Sequence, residues 1–273
     1  MTCEADLHIH TTASDGTLTP TQVVEVAAEI GLRAVSLCDH DTISGLEEAI
    51  AAGHRLGVDV VPGVEINTDV GPLEIHILGY FFNWRSEKFQ ARLEELKTAR
   101  VKRGRKIVEK LQAIGVPVTV ERVLQISGSA SVGRPHIARA ICETGYADSM
   151  NSAFGKYLIR GAPAFVERYR LTPQDAMNLI ISAGGVTGLA HPAKLHRDGL
   201  IPEFVKFGLR ALEVYHGDAH TEISDRYNAI ARHYNLIPTG GSDAHGFDPD
   251  LPSTIGTVGV AYEIVERLRA SAG

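Results

Sequence analysis

The chain has little of several residue types, and each shortage excludes a class of protein. Its three cysteines (Cys3, Cys38 and Cys142) are odd in number and lack CxxC spacing, which argues against a disulfide framework or a zinc ribbon. Aromatic residues make up only 6% of the sequence, which disfavours an extended stacking platform for single-stranded nucleic acid. No apolar run reaches the roughly 18 residues that a membrane span needs. We therefore expect a cytoplasmic protein with no membrane partner.

Charge and length narrow the classes further. The formal net charge is −6, so bulk electrostatics does not draw the whole protein to nucleic acid. The opening segment, MTCEADLHIH, has no basic stretch followed by an apolar one and so does not resemble a signal peptide. With 273 residues, 44% of them hydrophobic, the chain can form one sizeable α/β domain with an insertion, or two small domains.

Short apolar runs alternate with helical patterns in residues 1–85 and again in residues 171–273. This alternation predicts parallel strands joined by crossover helices. About seven strand–helix units favour a (β/α) barrel of roughly seven strands over an open sheet. Residues 86–170 are mostly helical in pattern and rich in charge, beginning with one long helix that ends at Gly115. We predict a barrel domain from the two outer segments and a helical insertion or cap from residues 86–170.

Histidine is the residue that the sequence has in excess, with 12 in 273. Most of these histidines, together with several carboxylates, fall at or near the carboxyl ends of predicted strands. Active sites of β/α barrels lie at that end, because loops from many strands meet there. The candidates are His8, His10, Asp15, Asp39, His40, Asp41, Glu65, His76, His191, His216, Asp243 and His245.

These residue types in this arrangement predict a metal centre. Imidazole with carboxylate suits Zn²⁺, Mn²⁺ and Fe²⁺, whereas Mg²⁺ and Ca²⁺ prefer oxygen ligands alone. His8 and His10 point to the same face of a strand and can bind one ion together. More candidates converge than one ion can take, so two or three ions are implied. Metals about 3.5–4 Å apart can polarise a phosphoryl oxygen, generate hydroxide from water and stabilise the leaving oxygen.

The sequence resembles the polymerase and histidinol phosphatase (PHP) family of metal phosphoesterases. The matching stretches are DLHIHTTASDGTLTP, LCDHDTISG, PGVEI, EIHILGY, LAHPAK and GGSDAHG. The resemblance implies a distorted seven-stranded (β/α) barrel with three metal ions, for which we expect Mn²⁺ first and Fe²⁺ or Zn²⁺ as alternatives. It also implies a ligand set. The first metal would take His8, His10, Glu65 and Asp243; the second Glu65, His76 and His191; the third Asp15, His40 and His245.

Within the family, the chain most resembles the bacterial branch that acts on 3′,5′-bisphosphonucleotides and on the 5′ ends of short RNA. The TASDGTLTP start, the GRPHIARA segment and the helical insertion carry this likeness. It implies a small phosphorylated substrate, a nucleotide or short RNA, with no obligate protein partner. Hydroxide would attack phosphorus, and Glu65 and Asp243 would be catalytic as metal ligands.

Four further residues are candidates for contacts with the substrate. Arg134 and His136 begin a predicted helix beside Pro135, where free backbone N–H groups favour an anion and arginine can grip phosphate with two N–H groups. A surface arginine and a capping histidine are the plainer interpretation of the same two residues. Lys194 follows His191 and is a second candidate for binding phosphate. His216 ends its own strand and would protonate the leaving alcohol or contact the substrate.

The predicted helix from Arg92 to Lys110 carries eight basic residues against three acidic ones. Such a helix can attract a polyanion despite the negative charge of the whole chain. A solvated helix face is the simpler interpretation, and the sequence leaves both open.

Three competing functions share parts of this pattern. A phosphatase for a non-nucleotide metabolite, such as histidinol phosphate, would use the same chemistry. A related amidohydrolase cleaving C–N bonds often uses a carboxylated lysine as the bridging ligand, whereas Glu65 stands in that position here. A non-catalytic metal-binding module would be expected to have lost ligands, and all nine positions are filled.

Overall fold

Seven strands form one sheet in the order β1 to β7. The computed structural model describes residues 3–128, 130–169, 171–217, 221–246 and 253–273. The strands are β1 (Ala5–Ile9), β2 (Ala34–Leu37), β3 (Asp59–Val70), β4 (Leu73–Tyr80), β5 (Val186–Leu189), β6 (Ala211–His216) and β7 (Ile237–Gly241). Bonds also join the first strand to the segment after the last: His10 N–H donates to Ala244 O at 2.8 Å, and Asp243 N–H donates to His8 O at 2.8 Å. The sheet is therefore nearly closed, which confirms the predicted distorted seven-stranded barrel.

Helices follow most of the strands. They are α1 (Pro20–Glu29), α2 (Leu46–Leu56), α3 (Glu87–Ala113), α4 (Val120–Ser127), α5 (Arg134–Glu143), α6 (Met150–Ala153), α7 (Pro173–Ser182), α8 (Pro192–Leu195), α9 (Ile201–Phe207), α10 (Thr221–His233) and α11 (Tyr262–Ser271). Sequence signals start several of them. Thr19 caps α1 by accepting from Gln22 N–H, with Pro20 as the first helical residue. No helix in the described ranges is both long and apolar enough to cross a membrane.

One strand departs from the parallel arrangement predicted from the sequence. β4 pairs antiparallel with β3 on one side and with β5 on the other, while the remaining neighbours are parallel. Only Gly71 and Pro72 separate β3 from β4, and a parallel connection needs a crossover of a dozen or more residues. A hairpin is thus the only connection that this loop allows. Consequently His76 lies within an antiparallel strand, opposite Asn67, rather than at a parallel strand's carboxyl end.

The chain divides into two compact units, one of residues 1–90 with 170–273 and one of residues 91–169. Arg170, the last residue of the predicted insertion, lies outside the described residues. The core of the barrel unit is built from short apolar strands, with Leu7, Cys38, Val61 and Tyr80 all fully buried. Tyr80 Oη donates to Leu7 O at 3.2 Å, which satisfies the one polar atom of this large core side chain.

The helical unit has its own hydrophobic core. Ile107 and Leu111 of α3 are buried with Val123 of α4 and Ile137 and Ile141 of α5. After α6, a single π-helical turn spans Phe154–Leu158. Residues 91–169 therefore form a compact unit around a hydrophobic core of their own.

Candidate metal centre

The barrel unit brings together all nine predicted metal ligands. His8 lies in β1, and His10 is the first residue after that strand. Glu65 lies in β3 and His76 in β4. The loops after β1, β2, β5 and β7 supply the rest: Asp15, His40, His191, Asp243 and His245. Because the strands are neighbours in a nearly closed sheet, these loops meet at one end of the barrel.

Glu65 lies at the centre of the cluster and is only 1% exposed. Its Oε1 is 2.7 Å from His76 Nδ1 and 3.2 Å from His191 Nε2. Its Oε2 is 3.0 Å from His40 Nδ1, 3.2 Å from His10 Nε2 and 3.4 Å from His8 Nε2. The two oxygens of one carboxylate thus face two different sets of imidazoles, which is the arrangement of a bridging ligand.

Asp243 and Asp15 extend the cluster on either side of His10. Asp243 Oδ1 is 3.2 Å from His10 Nε2 and 3.5 Å from His8 Nε2. Asp15 Oδ1 is 3.7 Å from His10 Nδ1 and 3.6 Å from His245 Nε2, and its Oδ2 is 3.8 Å from His40 Nε2. The ring of His10 therefore presents one nitrogen to Asp243 and the other to Asp15.

Three groups of side chains bring their ligand atoms within 4.8 Å of one another in the described part of the chain. The groups are His8, His10 and Asp243; His40, Glu65 and His76; and His10, Asp15, His40 and His245. Their number agrees with an expectation of two or three ions. Their membership differs from the division implied by the family resemblance, because His10 and His40 each belong to two groups, and His191, whose Nε2 is 3.2 Å from Glu65 Oε1, belongs to none of the three.

The donor set fits divalent metal ions. Glu65 Oε2 is buried and makes no hydrogen bond among the residues that the structure describes, although three imidazole nitrogens surround it. His8 Nε2 and His10 Nε2 lie only 3.2 Å apart. Imidazole nitrogens and carboxylate oxygens that converge in this way can hold metal ions, and Zn²⁺, Mn²⁺ and Fe²⁺ all suit this mixture.

Electrostatic coupling in the cluster is strong. Burial raises the pKa of Glu65, but the neighbouring imidazoles of His76, His40 and His8 outweigh it and hold that pKa well below its ordinary value. Burial likewise lowers the pKa of His10, yet the carboxylates of Asp243 and Glu65 raise it to about 10. In the metal-free protein the carboxylates thus favour protonated His8, His10 and His76, whose pKa values are all raised, whereas burial lowers the pKa of His191 and His245. Divalent cations would take the place of those protons, so binding would release them.

Three buried acids outside the predicted ligand set support the cluster. Asp39, a strand-end candidate, accepts from Thr11 N–H at 2.8 Å and from Ser14 Oγ at 2.6 Å, and so holds the loop after β1. Asp6 accepts from Ser242 N–H at 3.0 Å. Glu213 of β6 accepts from His8 Nδ1 at 2.9 Å. A buried acid inside an apolar strand such as ALEVYH was the available signal for Glu213.

The backbone is strained at three of the strand ends. Asp41, His191 and Asp243 have φ angles of 53°, 29° and 54°, in the left-handed region that favours glycine. Asp41 offsets this strain with its side chain, since its Oδ1 accepts from Asn67 N–H at 3.0 Å. Non-glycine residues in this region occur mostly where the surroundings fix them, often at functional sites.

Two of the four predicted substrate-contacting residues lie beside the cluster. Lys194 Nζ is 3.4 Å from Asp243 Oδ2, and His216 Nε2 is 3.2 Å from the same oxygen. Lys194 is 44% exposed whereas His216 is buried. A cation and an imidazole therefore stand together at the side of Asp243 that faces away from His8 and His10.

Arg134 and His136 belong to the helical unit. His136 is buried, and its Nδ1 accepts from the backbone N–H of Gly133 at 3.0 Å, which caps the start of α5. Arg134 is half-buried, with its guanidinium 5.9 Å from the ring centre of Phe154. His136 thus has the capping contact of the plainer interpretation, and a substrate contact for either residue stays a prediction.

Comparison with known proteins places this fold and site. A family model described as the PHP domain matches residues 6–172. A 5′-3′ exoribonuclease of Haemophilus influenzae is 34% identical over 250 residues, covering 90% of this chain and 91% of that protein. A 3′,5′-nucleoside bisphosphate phosphatase of Chromobacterium violaceum is 31% identical over 262 residues, covering 90% and 92%. A phosphoribosyl 1,2-cyclic phosphate 1,2-diphosphodiesterase of Eggerthella lenta is 32% identical over 246 residues, covering 88% and 94%.

Solved structures agree with these relatives. A protein of Bifidobacterium adolescentis assigned as a metal-dependent phosphoesterase superposes with a TM-score of 0.89 at 28% identity, covering 98% of this chain and 96% of that one. A Chromobacterium violaceum protein described as an amidohydrolase, with bound sulfate and no metal, superposes with a TM-score of 0.88 at 29% identity and the same coverage.

The fold and the donor set define a metal-dependent hydrolase of the β/α-barrel class. The chain belongs to the PHP domain family, and it is a metal-dependent phosphoesterase. The resemblance inferred from the sequence motifs is confirmed. The relatives act on different phosphate esters, so the substrate is a separate question.

Proposed function

We propose that this phosphoesterase hydrolyses phosphate esters of small nucleotides, namely 3′,5′-bisphosphonucleotides and the 5′ ends of short oligoribonucleotides. The observation that carries the site assignment is the geometry of Glu65, whose two oxygens each face their own set of imidazoles. This arrangement supports two or three divalent ions held by the nine predicted ligands, with Mn²⁺ as the first expectation. The named activities of the Haemophilus influenzae and Chromobacterium violaceum relatives support the substrate class.

The chain's own residues provide most of what the reaction needs. Bound divalent ions supply Lewis-acid polarisation of the phosphoryl group and activation of water. Glu65, which is buried, and Asp243, which is 15% exposed, hold carboxylates beside which the imidazoles are ordered. Lys194, beside Asp243 Oδ2, stabilises negative charge on the phosphoryl oxygens. His216, at the same oxygen, donates a proton to the leaving oxygen.

A substrate series tests the proposal. With Mn²⁺ added, we expect phosphate release from adenosine 3′,5′-bisphosphate, mononucleotide release from 5′-phosphorylated di- to pentaribonucleotides, and little turnover of histidinol phosphate or phosphoribosyl 1,2-cyclic phosphate. EDTA should remove the activity, and Mn²⁺ in excess should restore it, because the chemistry depends on the metal. The readouts are phosphate release and chromatographic product analysis. Turnover of histidinol phosphate or of the cyclic phosphate with none on nucleotides would refute the substrate assignment.

A further inference from the structure

Glu213 connects two of the predicted ligand residues from a third strand. It lies in the middle of β6 and is only 2% exposed. Its Oε1 accepts from His8 Nδ1 at 2.9 Å, and its Oε2 accepts from the backbone N–H of His191 at 2.6 Å. One buried carboxylate thus ties β1 to the loop that follows β5.

Both contacts act on the geometry of metal binding. An N–H on Nδ1 of His8 fixes the tautomer whose Nε2 carries a lone pair, and Nε2 is the nitrogen that faces Glu65 and Asp243. The bond to His191 N–H anchors a residue whose φ of 29° is strained. Without this bond, nothing comparable in the described chain would hold that backbone N–H. The imidazole ring of His8 and the backbone of His191 would then no longer be held by the same carboxylate.

We propose that Glu213 is a positioning residue that sets the tautomer of His8 and the backbone conformation of His191 for metal binding. The inference rests on the proposed ligand set, and it concerns a residue outside that set. Carboxylates behind metal-binding histidines typically contribute 10–100-fold to metal affinity. An effect of that size is therefore expected here.

Replacing Glu213 with glutamine tests this role. Glutamine keeps the shape but places an amide N–H₂ opposite one of the two donors. The Mn²⁺ affinity of the full-length protein, measured by calorimetry on metal-free samples below the unfolding temperature, should fall about 10–100-fold. Co²⁺-loaded samples should show an altered visible absorption spectrum. The exposed Glu25→Gln, which changes the net charge equally, should bind Mn²⁺ like the wild type.

The outcomes separate this proposal from the site assignment. If the wild type binds no Mn²⁺, the ligand set itself is refuted. If the wild type binds Mn²⁺ and folded Glu213→Gln binds it with the same affinity and Co²⁺ spectrum, Glu213 is only structural. Should Glu213→Gln fail to fold, Glu213→Asp keeps the charge but is too short to reach both partners, and its Mn²⁺ affinity decides in the same way.

A second, independent observation concerns the distribution of charge. Residues 91–169 contain 14 Lys and Arg against 7 Asp and Glu, a formal net charge of +7, although the whole chain has −6. The rest of the sequence therefore carries −13. A polyanion would be repelled by most of the protein and attracted to the helical unit alone.

Three of the exposed basic residues of α3, namely Lys102, Arg105 and Lys106, form a stripe on this unit. All three are exposed, and none makes a hydrogen bond or ion pair among the described residues. Side chains three and four positions apart on a helix are surface neighbours, about 5–6 Å apart at Cβ. Lys102 is therefore a surface neighbour of both Arg105 and Lys106.

An open groove of about 560 Å³ adjoins the stripe at Lys106. Phe165 and Arg160 line it, with the guanidinium 5.1 Å from the centre of the phenyl ring, and Lys110 Nζ donates to Phe165 O at 2.7 Å. Glu109 and Glu167 line it as well, and Glu167 pairs with Arg160. The groove thus offers an aromatic face next to Lys106 of the stripe.

We infer that the stripe binds the phosphodiester backbone of single-stranded RNA, so that affinity increases with RNA length. The inference rests on the proposed function and deepens it, since it adds a second surface that contacts the oligoribonucleotide substrates. RNA is favoured over an acidic protein because the proposed reaction already uses oligoribonucleotides. Repeated phosphates also match a row of adjacent cations.

Fluorescence anisotropy with 5′-phosphorylated oligoribonucleotides of three and twelve nucleotides tests the inference in EDTA. The full-length wild type should bind the longer RNA at least about tenfold more tightly, in a salt-dependent manner. Replacing Lys102 and Lys106 with glutamine should remove this length dependence and reduce the salt slope by about 1.4, at about 0.7 per phosphate contact on a single strand. Arg139→Gln with Lys156→Gln removes the same charge from exposed positions elsewhere on the unit and should preserve it.

Equal binding of both RNAs by the wild type would overturn the inference, as would equal losses in the two double variants. The second result would mean that net charge alone governs binding. Hydrolysis of adenosine 3′,5′-bisphosphate by the wild type, measured in parallel, reports on the proposed function and not on the stripe. Failure of one can therefore be distinguished from failure of the other.

Discussion

Replacing Glu65 with glutamine is expected to lower turnover on the order of 10³-fold or more and to reduce the number of Mn²⁺ ions bound. Glu65 Oε2 lies within 3.4 Å of three imidazole nitrogens, and Oε1 faces two more. An amide cannot bridge cations as a carboxylate does. Several kcal/mol of transition-state stabilisation depend on metals so placed, and each 1.36 kcal/mol corresponds to about a tenfold change in rate.

The measurement pairs kcat with metal content by atomic emission on dialysed protein. Glu47→Gln, at an exposed position in the first turn of α2, changes the charge equally and should keep both quantities within experimental error of the wild type. A Glu65→Gln protein with the full complement of Mn²⁺ would refute the bridging role. Loss of metal with undiminished turnover would refute the metal-dependent mechanism itself.

Much of the site was predictable because metal ligands are polar residues in places where packing alone would select apolar ones. The imidazoles and carboxylates at strand ends stand out against apolar runs such as AVSL. The barrel follows from the same alternation of strands and helices. The sequence pattern could not predict how the ligands are divided among the three groups of the cluster. Sharing of His10 and His40 between groups depends on the exact ring positions, which no spacing rule specifies.

Two other features of the structure, the antiparallel β4 and the backbone of His191, also differ from what the sequence pattern predicts or go beyond it. The antiparallel β4 follows from the two-residue connection at Gly71 and Pro72, a local signal that the strand–helix alternation obscured. The strained φ of His191 is enforced by a bond to Glu213, more than twenty residues later in the chain. Such long-range support leaves no local trace except the buried acid of β6 itself.

Gly241→Ala is expected to destabilise the protein by about 3 kcal/mol or more, because overpacking of this severity exceeds the usual 1–3 kcal/mol. A Cβ at Gly241 would lie 2.4 Å from His8 N and 2.5 Å from His8 Cβ, and the first of these is backbone. β7 therefore has to move away from β1 at the place where the barrel closes. At about 2–4 °C per kcal/mol, the Tm of the metal-free protein should fall by roughly 6–12 °C.

The same substitution should also weaken Mn²⁺ binding, since the displaced residue is His8. Gly199→Ala is the matched control: no atom lies within 4 Å of its added Cβ and its φ is not left-handed, so its stability should change by no more than about 0.5 kcal/mol. Thermal unfolding followed by circular dichroism, with calorimetric Mn²⁺ titration of each variant, measures both effects. If the Tm of Gly241→Ala equalled that of Gly199→Ala, β1 and β7 could not be in the close contact that sets His8 against Asp243, and the closed end of the barrel would be wrong.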